Sequence, residues 1–128
     1  FSINQTMTTK RPNIVMDRSY AFALRVIRLY KFLVSEKKEF VLSKQLLRSG
    51  TAVGALIKEA EHAQSKADFL NKMNIALKEA NESKYWLELL RDSEYISTTE
   101  ATSMLSDCSE LVKLLASIVK STKSNLNR

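Results

Sequence analysis

The sequence predicts an all-α protein, an antiparallel up-down-up-down four-helix bundle, and three observations predict it. Only two glycines and one proline occur in 128 residues, too few turn residues for a sheet or a Rossmann-like enzyme. Apolar side chains recur at three- and four-residue intervals through most of the chain, the period of an amphipathic helix. Two Ser-x-x-acid boxes, Ser65 to Asp68 and Ser97 to Glu100, punctuate that pattern where helices begin. A chain of this length is one domain, able to bury roughly two-thirds of its unfolded surface. Residues 1–15 are expected as a flexible N-terminal tail and residues 16–128 as a single bundle.

The first helix is expected over residues 16–38, where Ser35, Glu36, Lys37 and Lys38 end the apolar pattern and put cations at the C-terminal dipole. A second helix follows over residues 41–63. Ser65 caps the third, residues 66–93, with Asp68 reaching back to it. Ser97 and Glu100 open the fourth, residues 98–124. Rods of about 30 Å or more, joined by short connections, form an up-down bundle.

Core rows follow from the spacing. The third helix offers Phe69, Met73, Ala76, Ala80, Ser83, Leu87 and Leu90, and the second offers Leu46, Gly50, Val53, Ile57 and Ala60. The fourth offers Met104, Cys108, Leu111, Leu115, Ile118 and Val119. Small residues line the middles of helices 2 and 3. Gly50 and Gly54 therefore read as close-packing positions, with Ala76 and Ala80, because a mid-helix glycine otherwise costs roughly 0.5–1 kcal/mol. A hinge is the weaker alternative, and a phosphate loop would need an upstream strand that is not there.

Helix 1 is apolar over too wide an arc. Phe22, Val26, Leu29, Tyr30 and Leu33 occupy one side, and Tyr20, Ala23, Leu24, Ile27 and Val34 extend it past half the circumference. One bundle seam needs little more than 100°. Tyr20, Leu24 and Ile27 are thus candidate oligomer contacts, most economically with another copy of the chain. Arg18, Arg25 and Arg28 share the remaining side, with Lys31 flanking. The net charge is +6, and residues 1–40 hold eight Lys/Arg against three Asp/Glu, giving +5. That excess reads either as a face for an anionic partner such as nucleic acid or as a solvated helix surface.

Catalytic chemistry finds little support. Glu59-x-x-His62 is half of a di-iron motif, but the chain has one histidine, so the required second copy cannot exist. No metal site and no cofactor are expected, and Glu59 and Glu79 are expected to pair with Arg48 or lysines. Cys108 lies on an apolar row with no histidine to activate it and reads as core. Tyr85 and Trp86 beside Lys84 suggest a stacking platform, though aromatics at helical spacing more often pack. No apolar run reaches the roughly 18 residues of a membrane span. A single cysteine and an opening without a secretory apolar core point to the cytoplasm.

One stretch resembles a known family. Gln45-Leu46, Arg48-Ser49, Ile57, Glu59-Ala60, Ser65, Asp68-Phe69, Lys72-Met73, Ile75-Ala76, Glu79-Ala80, Glu82 and Tyr85-Trp86-Leu87 resemble the four-helix bundle proteins encoded in intervening sequences of bacterial 23S ribosomal RNA genes. Leu56 stands where that family often has asparagine. The resemblance implies a left-handed bundle assembled into a homopentamer. It also implies kinship with the accessory variability proteins of diversity-generating retroelements, positively charged pentamers that bind nucleic acid and a reverse transcriptase. The family's ribosomal label reflects gene location. The expectation is a non-enzymatic homo-oligomer that binds RNA or a nucleic-acid-handling protein through Arg18, Arg25, Arg28 and Lys31. No membrane and no small-molecule substrate are expected. A scaffolding module without a nucleic-acid ligand is the alternative.

Overall fold

The structure is a computed structural model that describes residues 10–127. The part of the expected tail before residue 10 lies outside the described residues. Four helices account for the rest: α1 (Lys10–Ser35), α2 (Leu42–Ala60), α3 (Lys66–Asp92) and α4 (Thr98–Leu126), with no strand among the described residues. Each helix packs on its neighbour in sequence, and α1 also packs on α4 along the sparsest of the four seams.

α1 begins six residues before the expected start, with Pro12 in its first turn. A first-turn proline breaks nothing, because the leading N–H groups of a helix have no partner to lose. α1 also ends at Ser35 rather than Lys38, because Lys38 turns to φ 54°. α2 is shorter than expected at 19 residues, about 28 Å. It stops at Ala60, and His62 and Ala63 donate back to the Glu59 and Ala60 carbonyls in a closing turn.

The starts of the helices have distinct solutions. Ser65 Oγ accepts the Asp68 N–H at 3.1 Å and Ser97 Oγ accepts the Glu100 N–H at 3.1 Å. Asp68 returns its carboxylate to the Gln64 N–H, not to Ser65, and its second oxygen takes Lys72 Nζ. α2 has no side-chain cap at Val41. Its free donors are met instead by Glu39, whose carboxylate accepts from Ser43, Leu42 and Val41 at 2.7, 2.9 and 3.1 Å.

The core is one row per helix. On α1 it is Val15, Ser19, Phe22, Val26, Leu29 and Leu33, none more than 4% exposed. Leu46, Val53, Ile57 and Ala60 of α2, Met73 through Leu90 of α3, and Ala101 through Val119 of α4 complete it. Phe69 and Ile118 sit at its edge, half-buried. The two glycines of α2 face α1. A Cβ on Gly50 would fall 2.8 Å from Val26 Cγ2, and one on Gly54 would fall 3.3 Å from Ser19 Oγ. The α2–α3 seam uses small residues differently, as the buried Ser49 and Ser83 hydroxyls share a hydrogen bond of 2.9 Å. Ala76 and Ala80 are fully buried, and the Ala80 carbonyl accepts from Cys108 Sγ at 3.2 Å.

Candidate nucleic-acid interface and oligomer face

α1 carries two parallel apolar rows, one residue apart. The buried row above repeats at intervals of four and three. The second, Met16, Tyr20, Ala23, Ile27, Tyr30 and Val34, repeats at the same intervals and is nowhere fully buried. Tyr20 is 65% exposed, and Leu24, beside that row, is 37% exposed. Rows repeating every 3.5 residues are what a helix uses to pack along another helix. Among the described residues this row is only partly covered, with Tyr20 exposed and the rest half-buried.

The arginines expected to form one ridge divide in two. Arg25 Nη1 pairs with Asp107 at 2.6 Å while Nη2 donates to Ser103 Oγ at 2.9 Å. Arg18 reaches Glu110 at 3.4 Å. Both thus bridge α1 to α4, because α4 aligns Ser103, Asp107 and Glu110 along its facing side. A helical wheel of α1 alone does not contain that information. Arg28 and Lys31 are exposed and have no carboxylate within ion-pair distance among the described residues.

Next to Arg28 lies a feature the sequence reading missed. A shallow groove of about 290 Å³ opens between α1 and α4, lined by Arg25, Arg28, Leu29, Phe32, Glu100 and Met104. Phe32 is 38% exposed, and Lys37 Nζ stands 5.8 Å from its ring centroid. The available signal was an aromatic four residues after Arg28, off the buried row. A second cavity of about 600 Å³, at the end of the helices where α1 starts, is lined mainly by apolar residues including Ile14, Ile57, Phe69, Met73, Leu114 and Ile118.

Between α2 and α3 the polar groups pair with one another. Arg48 pairs with Glu79 at 3.2 Å and with Glu82, whose carboxylate also accepts from Trp86 Nε1 at 2.9 Å. The Trp86 N–H and Arg48 together hold the Glu82 carboxyl below its usual range. Trp86 is thereby half-buried and engaged, and only Tyr85, packed edge-on against it, is exposed. Glu59 and His62 are both exposed. No group of three or more His, Cys, Asp or Glu is close enough to hold a metal ion among the described residues. Burial pushes the Cys108 thiol up to about 12, which leaves almost no thiolate at neutral pH. No helix among the described residues is long and apolar enough to cross a membrane.

Comparison with known proteins agrees with this architecture. A crystal structure of a protein with unknown function from the S23 ribosomal protein family of Bacteroides thetaiotaomicron VPI-5482 is 61% identical. The match covers 86% of this chain and 98% of that one, with a TM-score of 0.84. No curated protein matches. Residues 11–117 match the family described as 23S rRNA-intervening sequence protein, and the chain belongs to that family.

Proposed function

We propose that this protein is a non-enzymatic cytoplasmic homo-oligomer, a pentamer, that binds RNA through the basic exposed side of α1. The observation that carries the reading is the composition of that side. Tyr20, Leu24 and Ile27 lie open to solvent or half-covered beside Arg28 and Lys31, cations with no acidic partner among the described residues. An apolar row favours burial against a second copy, and free cations favour a phosphate backbone.

Within each subunit the helices run antiparallel, up-down-up-down. Cross-helix pairs support this: Ser19 meets Gly54 while Val26 meets Gly50, and Arg18 meets Glu110 while Arg25 meets Asp107. The numbers rise on one helix as they fall on the other. The 3.5-residue repeat of the buried row favours a left-handed supercoil. Closed symmetry would repeat Arg28 and Lys31 once per subunit, so individually weak phosphate contacts would add by avidity.

The test is salt dependence. Log affinity for RNA falls linearly with log salt concentration, by about 0.7 per phosphate neutralised on a single strand. Reversing Arg28 and Lys31 to glutamate weakens binding and flattens that slope while the far-UV helical signal is kept. RNA binding that is undetectable at about 50 mM salt, where such contacts are strong, ends the reading. The apolar cavity at the other end of α1 favours a second reading, a scaffold for a protein partner. A stoichiometric protein partner that survives nuclease treatment, with no RNA retained, would favour that reading.

A further inference from the structure

We infer that the groove between α1 and α4 is a pocket for one unpaired nucleobase, so that the RNA taken by this protein is single-stranded. The inference rests on the RNA-binding reading above and specifies its ligand. The groove's floor is apolar, made by Leu29 and Met104, both nearly inaccessible. Phe32 forms one wall with more than a third of its surface exposed. Arg25 forms another wall and is held in place by Asp107 and Ser103, so its position is fixed before any ligand arrives. Arg28 stands at the rim with no acidic partner among the described residues, and the Lys37 ammonium lies at the Phe32 ring.

Each part corresponds to a part of a nucleotide. The exposed Phe32 face and the apolar floor suit the flat face of a base, while Arg28 and Lys37 suit the phosphates on either side of it. An inorganic anion alone would have no use for the floor, and a cation is opposed by the surrounding charge. Duplex RNA keeps its base faces stacked inside and is recognised by its backbone and shape, so it would leave Phe32 idle. Size points the same way. At about 290 Å³ the groove stands at the bottom of the usual ~300–1,000 Å³ range of ligand pockets, enough for one ring system.

Glu100 adds selectivity. Its backbone N–H is taken by Ser97 Oγ, and the exposed residue lines the groove. An ionised carboxylate only accepts hydrogen bonds. It therefore pairs with the exocyclic amine of adenine, cytosine or guanine, whereas uracil's one edge donor, N3–H, is flanked by two carbonyl oxygens that repel a carboxylate. The pocket prefers amino-bearing bases over uracil.

The experiment uses the full chain with fluorescent 12-residue oligo(A), oligo(C) and oligo(U), and a duplex RNA of equal length. Phe32→Ala weakens oligo(A) and oligo(C) by roughly 5- to 100-fold and leaves the duplex affinity and the salt slope unchanged. Phe32→Trp restores the lost binding, which a merely structural role would not predict. Glu100→Gln narrows the gap between oligo(C) and oligo(U), because an amide both donates and accepts. If the parent protein binds RNA but Phe32→Ala is silent, or duplex binds as tightly as single strands, the pocket is refuted and RNA binding stands. If the parent binds none of the four at low salt, both the pocket and the RNA reading fall.

Discussion

Gly50 shows how much a single hydrogen atom can decide. Alanine is favoured over glycine in a helix interior by about 1 kcal/mol, so Gly50→Ala would stabilise α2 in isolation. In the bundle its new methyl would meet Val26 Cγ2 at 2.8 Å and Cγ1 at 3.0 Å. Val26 is fully buried and has one preferred rotamer in a helix, so it cannot swing aside. Overpacking of that kind costs about 1–3 kcal/mol, and the expected outcome is a net loss of stability in urea unfolding. Gly54→Ala comes no nearer than 3.3 Å, to the Ser19 hydroxyl, and should be near neutral. A Gly50→Ala protein more stable than its parent would mean that α1 and α2 are free to separate. The sequence marked both glycines as packing positions, since nothing else explains a helix that tolerates them. It grouped them with Ala76 and Ala80 of helix 3, whereas both face Val26 and Ser19 of α1, because a wheel orients a face without naming what lies opposite. Lys38 and Glu94 were opaque for the reverse reason. Both take positive φ, 54° and 67°, where glycine is the expected residue, so no residue type announced those two turns.

At the scale of an element, the start of α2 depends on one buried carboxylate. Sequence signals for helix starts are Ser, Thr, Asp or Asn at the cap, and Val41 is none of these. Glu39 answers from two residues upstream, and it reads in the sequence as one more member of a charged loop. The starts of α3 and α4 could be placed to the residue because their caps are the expected serines. Burial works to raise the Glu39 carboxyl, but the N–H groups of Leu42, Ser43 and Val41 outweigh it and hold it below its usual 4.5. A depressed carboxyl binds its proton more weakly folded than unfolded. Its contribution is therefore complete above about pH 4.5 and disappears as pH falls through the lower folded value. Glu39→Gln keeps the shape but removes the charge and one accepting oxygen. Hydrogen bonds to a charged group contribute about 1.5–3 kcal/mol, and a loss of that order is expected at pH 7. The gap between parent and variant should narrow as pH falls below 4.5. A gap that does not narrow as the solution is acidified below pH 4.5 would show that the carboxylate is not what starts α2.

For the whole molecule, the deciding quantity is the apolar arc of α1. Its width could be read from the sequence, because period alone tells how much of a helix is apolar. What the structure adds is that the arc resolves into two heptad rows, of which the chain buries only the one through Phe22 and Val26. Two of the four basic residues misled for want of the partner helix, since Arg18 and Arg25 are spoken for by Glu110 and Asp107. If the second row is a subunit contact, charge placed on it must split the assembly without unfolding the chain. Ile27 is the position to change, being half-buried at the middle of that row and away from the fully buried one. An isolated carboxylate buried in an apolar contact costs several kcal/mol, and closed symmetry would incur that cost at every interface. Ile27→Asp is thus expected to take the mass by light scattering from a multiple of 14.6 kDa down to the single chain, with helicity retained. Arg28→Glu, one residue on and pointing away from the row, should leave the mass unchanged while weakening RNA. A parent chain already at the monomer mass would mean that Tyr20, Leu24 and Ile27 are simply wetted. The RNA reading would then have to stand on single-site affinity, without avidity to multiply two cations per subunit.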